Sequence, residues 1–191
     1  RVEILESVGP ECIFVIAANQ GEIGTSGDLH RNKEIQLAIP GPESGTAVTF
    51  ANISRLKPKY AEIAVTYMAP DEALQAITGA AEPRVDALML VQHPKVHTEE
   101  IRYALEHPQQ YRSVAIKDLD LSEQLPDGQP VYESLDLPLQ RSSWNTATRS
   151  VETVCTKGLL VGAKDKLSAT QREILKHILD FEWMRVYATS Q

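Results

Sequence analysis

No stretch of this 191-residue chain is basic enough to follow a phosphate backbone. Its 19 Lys and Arg are scattered among 26 Asp and Glu, for a formal charge of −7. A nucleic-acid partner is excluded, because phosphate neutralisation needs clustered cations. No apolar run has the length needed to cross a bilayer, and the chain opens at Arg1 with neither a Met nor an apolar leader. That start reads as a processed or excised piece, with any address signal or membrane anchor outside this segment. Repeats, low-complexity tracts and coiled-coil heptads are absent. So is any Asp/Glu dyad, Ser/His/Asp order or metal-ligand cluster above background, and the chain reads as a non-enzyme without cofactor or metal.

Cysteine is scarce too. Cys12 and Cys155 are the only two, each inside an apolar β-like run, ECIFVIA and VETVCTKGLLV. That setting favours two buried thiols. A bridge between them would suit an oxidising compartment, but the sequence supplies no geometry and leaves the compartment open.

What the chain does have is apolar content, 42%, enough for one large domain or two small lobes. Strands are predicted over 11–18, 34–39, 61–67, 85–91 and 111–116. Helices are predicted over 46–56, from Pro70 to a stop at Gly79, and over 97–106. VDALMLV (85–91) is apolar nearly throughout, as a strand covered on both faces should be. This alternation predicts an α/β fold with a mostly parallel open sheet and right-handed crossovers. After Asp118 the texture changes to a turn-rich stretch, an extended VYESLDLPL, a polar connection and a strand or strand pair over 151–162. Ser168 and Gln171 form a capping-box signature, so a helix should run from Ala169 to about Met184, with Ile174, Leu175, Ile178, Leu179 and Phe181 in one stripe.

The segment EIQLAIPGPESGTAVTFANIS (34–54) carries the main functional candidate. A strand that passes through glycines into a helix leaves N–H groups unpaired at the helix start, and the helix dipole favours an anion there. Gly41, Ser44, Gly45 and Thr46 are therefore candidate ligand contacts. The bland alternative is a helix cap worth about 1 kcal/mol. Glu43 in the same loop argues against a large polyanion. The order Gly-x-x-Ser-Gly is not a nucleophile elbow, so Ser44 is a poor nucleophile.

Further candidates follow from position. Gln92 and His93 end the VDALMLV strand on the edge where open α/β sheets bind ligands. His93 and His97 are spaced for a metal on one helical face, but Pro94 interrupts the helix and no third ligand is evident. In the polar connection, Arg141 and Arg149 could pair with a carboxylate and Trp144 could cover an apolar ligand face, or all three could be ordinary surface and packing residues. Asp86 reads as a stabiliser of the turn into its strand.

DLHRNKEIQLAIPGPESGT resembles the run of type II periplasmic binding proteins in which "D-L-x-G-K" leads into a glycine-rich "G-x-x-S-G-T" loop. Asp28, Leu29 and Lys33 match the lead, Asn32 replaces its glycine, and Gly41, Ser44, Gly45 and Thr46 match the loop. EALQAITGA followed by RVDALMLVQHP, with Glu72, Ala73, Leu74, Gly79, Asp86 and Ala87, is similar to the downstream pattern. Thr153, Leu160, Val161 and Leu167 are similar to the closing segment. Within that class the chain resembles the TAXI-type solute receptors of TRAP transporters, over roughly residues 8–182.

The resemblance implies a two-lobed, non-catalytic extracytoplasmic receptor that captures a small organic anion, such as a dicarboxylate or acidic amino acid, and hands it to transporter membrane subunits. It implies an α/β lobe over 28–118, inserted in a first lobe made of 1–27 and 119–191, with bending near 18–28 and 118–135. Two departures stand out. The family's leading α/β block would have ended where this chain begins, and Leu139 to Ser150 replaces the family's "G-x-Y-P-G". The first lobe is therefore expected to be incomplete. The departures keep a rival open, a membrane-anchored sensor or interaction domain of the same fold that has lost solute capture.

Overall fold

The computed structural model describes residues 2–31, 34–117, 121, 124, 128, 130–141, 148–163, 166–175 and 177–178. A seven-stranded sheet organises them. Its strands are β1 (Val2–Ala18), β2 (Gln36–Ile39), β3 (Ala64–Tyr67), β4 (Ala87–Gln92), β5 (Tyr111–Ser113), β6 (Tyr132–Arg141) and β7 (Thr148–Ala163). The order is β3-β2-β4-β1-β7-β6, with β5 on the free stretch of β1 beyond β7. Strands β2, β3 and β4 pair in parallel, and β5 shares their direction. Strand β1 runs against them, and β6 runs against β7. The expected α/β class holds, with β1 lying antiparallel in the middle.

Four helices cover the sheet: α1 (Ser26–Arg31), α2 (Gly45–Leu56), α3 (Pro70–Ile77) and α4 (Glu99–Glu106). Alternation along the strands sorts the core into two faces. Ile13, Val15, Leu37, Ile39 and Met89 face one way, with Ile53 of α2 and Leu29 of α1. Phe14, Ile16, Leu88 and Leu90 face the other, with Leu74 of α3 and Ile101 of α4. Leu37, Ile39, Leu88 and Ile101 are fully buried, and each such side chain contributes about 1.5–3 kcal/mol of transfer free energy. The β4 run is buried from Ala87 to Leu90, as its apolar sequence requires.

Punctuation residues act where expected. Pro70 opens α3, and Gly79 at φ +76° ends its turn, its N–H bonded to the Ala76 carbonyl. The Asp86 carboxylate accepts from the Gln36 N–H at 2.8 Å and the Asp86 N–H donates to the Gln36 carbonyl at 2.9 Å, which clamps the start of β2 to the start of β4. The capping box forms: the Ser168 N–H donates to Gln171 Oε1 at 2.9 Å and the Gln171 N–H to Ser168 Oγ at 3.2 Å. The helix behind it is described over 169–175 and 177–178, and the rest of the expected helix, with Leu179 and Phe181, lies outside the described residues.

Two expectations change. The stretch after β1, where the sequence pattern predicts no strand or helix, contains α1. Asp28 stabilises its start by reaching back to the Gly24 and Thr25 N–H groups at 3.0 and 2.8 Å, a short-range arrangement that apolar periodicity cannot reveal. These bonds, that of Thr25 first, hold the Asp28 carboxyl below its ordinary range. The two cysteines are not free thiols. Cys12 and Cys155 are direct partners across β1 and β7 and form a disulfide that closes a sequence separation of 143. Sequence separation hid this, because only the register of two distant strands puts the pair face to face.

Replacing both cysteines with alanine should lower the unfolding free energy by about 2–5 kcal/mol, read by urea denaturation. The oxidised wild type should lose a comparable amount on full reduction. Equal midpoints for all three samples would contradict a stabilising bridge.

Candidate functional site

Topology singles out one edge of the sheet. From β2 the chain crosses one face through α2 to β3, whereas from β4 it crosses the other face through α4 to β5. Adjacent parallel strands whose connections leave on opposite faces create a crevice at their C-terminal ends, where open α/β sheets bind ligands. Pro40 to Thr46 and Gln92 to His97 are the two loops that meet there.

The first loop is built for a tight entry into α2. Ser44 is the helix N-cap, and its Oγ accepts from the Ala47 N–H at 3.1 Å. The Ser44 N–H donates to the Gly41 carbonyl at 2.9 Å. Thr46 is buried, and its Oγ1 accepts from the Val91 N–H of β4 at 3.0 Å. That bond ties the two loops together. The Glu43 carboxylate folds back over Gly41, where a Cβ would lie 2.9 Å from its Oε1.

The hydroxyls of Ser44 and Thr46 are thus taken up by protein groups, as is the Ser44 amide. What remains is the main chain at the first two positions of α2. The Gly45 and Thr46 amides have no hydrogen-bond partner among the described residues. Gly45 is exposed, and a Cβ placed on it would meet nothing within 4 Å. The site reduces to main-chain donors at a helix N-terminus. Its surroundings are apolar and acidic: Val48, 64% exposed, stands one turn into α2, and Tyr67, 54% exposed, ends β3 beside Ile39. Sequence patterning missed both, because each occupies a regular position of its element and only the edge location exposes it.

The second loop brings Gln92 and His93 to the same edge. The Gln92 Nε2 is buried without a hydrogen-bond partner among the described residues. His93 Nδ1 accepts from the Lys95 N–H at 3.2 Å, and partial burial followed by the Lys95 charge lowers the imidazole pKa. His97 does not join His93 around a metal. Its ring packs edge-on against Phe14 at 5.8 Å, its Nε2 lies 3.2 Å from the Pro94 carbonyl, and burial lowers its pKa. No cluster able to hold a metal occurs among the described residues.

Of the polar connection, residues 139–141 and 148–150 are described, as parts of β6 and β7. Tyr132 is level with Thr156, as is Glu11, so the start of β6 lies at the cradle edge. Arg141 is at the far end of this ten-residue strand, roughly 30 Å along it. Arg141 is therefore not brought together with the cradle residues along the strand. Arg149 pairs with Gln140 in the same distant part of the hairpin. Trp144 lies outside the described residues, as do Asn32 and Lys33. At the near end, the Tyr132 hydroxyl accepts from Asn52 Nδ2 at 2.5 Å, which braces α2 against β6.

No protein-family model and no curated protein sequence matches the chain. Among solved structures it is similar to the substrate-binding protein of an amino acid ABC transporter, at 9% identity and a TM-score of 0.49, covering 99% of this chain and 61% of that one. It is similar to the GluR0 ligand-binding core in complex with L-glutamate at 15% identity and a TM-score of 0.47, covering 99% and 62%. The cysteine-binding protein from Campylobacter jejuni is similar at 16% identity and a TM-score of 0.48, covering 99% and 56%. The chain thus spans about three-fifths of the length of the structures it resembles. Likeness at this level says nothing about ligand or activity, which rest on the residues above.

Thr46→Val keeps the shape at the buried position but removes the acceptor for the Val91 N–H. It should cost about 1–3 kcal/mol in urea denaturation, while Thr46→Ser, which keeps the hydroxyl, should cost clearly less. Equal stability of the two variants would show that the tie between the loops carries no weight.

Proposed function

We propose that this chain is a non-catalytic binding module for a small organic anion, a dicarboxylate or an acidic amino acid, working outside the cytoplasm as the receptor of a TRAP-type transporter. The observation that carries the reading is the pair of partnerless amides at Gly45 and Thr46, placed at the sheet's switch point, where Gly45 is exposed and a Cβ on it would meet nothing within 4 Å. A carboxylate there would accept both N–H groups and gain from the dipole of α2. Gln92 and His93 flank it from the neighbouring strand end.

Two further features support the reading. The disulfide favours an oxidising compartment. Beyond Cys12 and Cys155, β1 and β7 continue as a paired ribbon, Val2 against Ala163 at its end. That ribbon runs past the C-terminal edge of β4, on the side where a second jaw would cover the cradle. The sequence resemblance to TAXI receptors agrees with this arrangement. The rival reading, a sensor or interaction domain of the same fold, draws on Ile174 and Ile178, which are 53% and 52% exposed on the helix that follows Ser168.

Gly45→Pro tests the reading cleanly. Proline is well accepted at the first helical position, and Ser44 at φ −73°, ψ 152° already has the conformation that a following proline requires. The variant deletes one donor and should leave the fold intact. Calorimetry over a panel including succinate, L-aspartate and L-glutamate should show binding to the wild type. Gly45→Pro should weaken it by about tenfold or more, since a hydrogen bond to a charged group contributes about 1.5–3 kcal/mol. Flat titrations of folded wild type across the panel would reject the anion-receptor reading.

A further inference from the structure

Glu11 stands on β1 one residue past Cys12–Gln92, the last pair that β1 makes with β4. The residues after it alternate, with Cys12 and Phe14 on the α3–α4 face and Ile13 and Val15 on the α2 face. Glu11 therefore shares the α2 face, in a row with Thr156 of β7 and Tyr132 of β6, its successive register partners. The Ile13 carbonyl is turned to the Thr153 hydroxyl of β7, so Val91, the partner of Ile13 in β4, turns its own N–H away from β1. That N–H meets Thr46 in the first turn of α2. Glu11 and the Gly45 and Thr46 amides thus flank the end of β4 from opposite sides, two strand spacings or on the order of 10 Å apart.

Glu11 is half-buried and has neither a hydrogen bond nor an ion pair among the described residues. Burial pushes its carboxyl above the ordinary range, as befits a charge that has lost water and gained no protein partner. Lys157, next along β7, lies on the other face and pairs with Glu133 at 3.8 Å. Glu43 places a second carboxylate at the cradle, folded over Gly41. On the loop after β4, Lys95 is a cation, while burial and the Lys95 charge hold the His93 imidazole towards its neutral form. A ligand with a carboxylate at both ends would satisfy the amides with one and meet Glu11 with the other. A zwitterion gains at both ends.

We propose that Glu11 receives the ammonium group of the ligand, which is therefore an amino acid bound as a zwitterion rather than a simple dicarboxylate; the assignment rests on the anion cradle proposed above. The ligand carboxylate accepts from the Gly45 and Thr46 N–H groups, its ammonium donates to the Glu11 carboxylate, and its body bridges the end of β4. A charge-assisted hydrogen bond at each end fixes the orientation, and the carboxylate of Glu11 disfavours a second negative group in its place.

Calorimetry on the full chain with two matched pairs tests this: L-glutamate against glutarate, and L-aspartate against succinate, which differ only by the amino group. Wild type should bind each amino acid at least about tenfold more tightly than its deaminated partner. Glu11→Gln, of nearly the same shape, should weaken the amino acids by about tenfold or more and leave the two diacids unchanged or tighter. Glu11→Asp, which keeps the charge, should retain part of the preference. Circular dichroism checks that both variants keep the fold. Amino acids that bind Glu11→Gln more tightly would show a merely repulsive carboxylate, and equal weakening of all four ligands a structural one; either result overturns the proposal. Equal wild-type affinities within each pair, weakened alike by Gly45→Pro, would overturn it while the anion cradle stands. No binding by any of the four overturns both.

Discussion

The hydrogen bond from the Val91 N–H to the buried Thr46 hydroxyl holds the candidate site together. Thr46 belongs to the first turn of α2, and Val91 to the end of β4. Without that bond the loops after β2 and β4 would share an edge but have no fixed relation. With it, the opening turn of α2 is pinned beside Gln92 and His93. The same bond commits the Thr46 side chain to the sheet and leaves only its main-chain N–H without a partner among the described residues.

A second constraint comes from β1. Running against the parallel strands, it is covered on both faces from Cys12 to Ala17 and pairs with β4, β5 and β7 along its length. The disulfide sits where this buried stretch gives way to the outer ribbon. Cys12 is also the register partner of Gln92. The bridge therefore fastens β7 to β1 at the level of the cradle, one strand away from it. A ribbon anchored in this way keeps a fixed base and can still carry another body beyond the edge.

Much of the α/β block is legible in the sequence because its signals are local. The apolar run of β4, Pro70 and Gly79 around α3, and the Ser168–Gln171 capping box each act within a few residues, and each stands where the pattern puts it. The glycine loop is legible for the same reason, as a strand followed by a helix start. What stays hidden depends on register and distance. The Cys12–Cys155 pairing follows from how β1 and β7 align, and the separation of Arg141 from the cradle follows from the direction of β6. The division of labour at the start of α2, with the Ser44 and Thr46 hydroxyls bonded to the protein and the Gly45 and Thr46 amides left without a partner among the described residues, needed side-chain positions that residue types alone do not give.

The account stands on two main-chain donors, and those donors can be watched directly. In an amide-resolved NMR titration with L-glutamate or succinate, the Gly45 and Thr46 N–H resonances should shift downfield together and saturate with a single dissociation constant, as amides do on donating to a carboxylate. If every acid in the series leaves these two resonances in place while the rest of the spectrum reports a folded protein, the helix start is a structural cap and the binding account is contradicted.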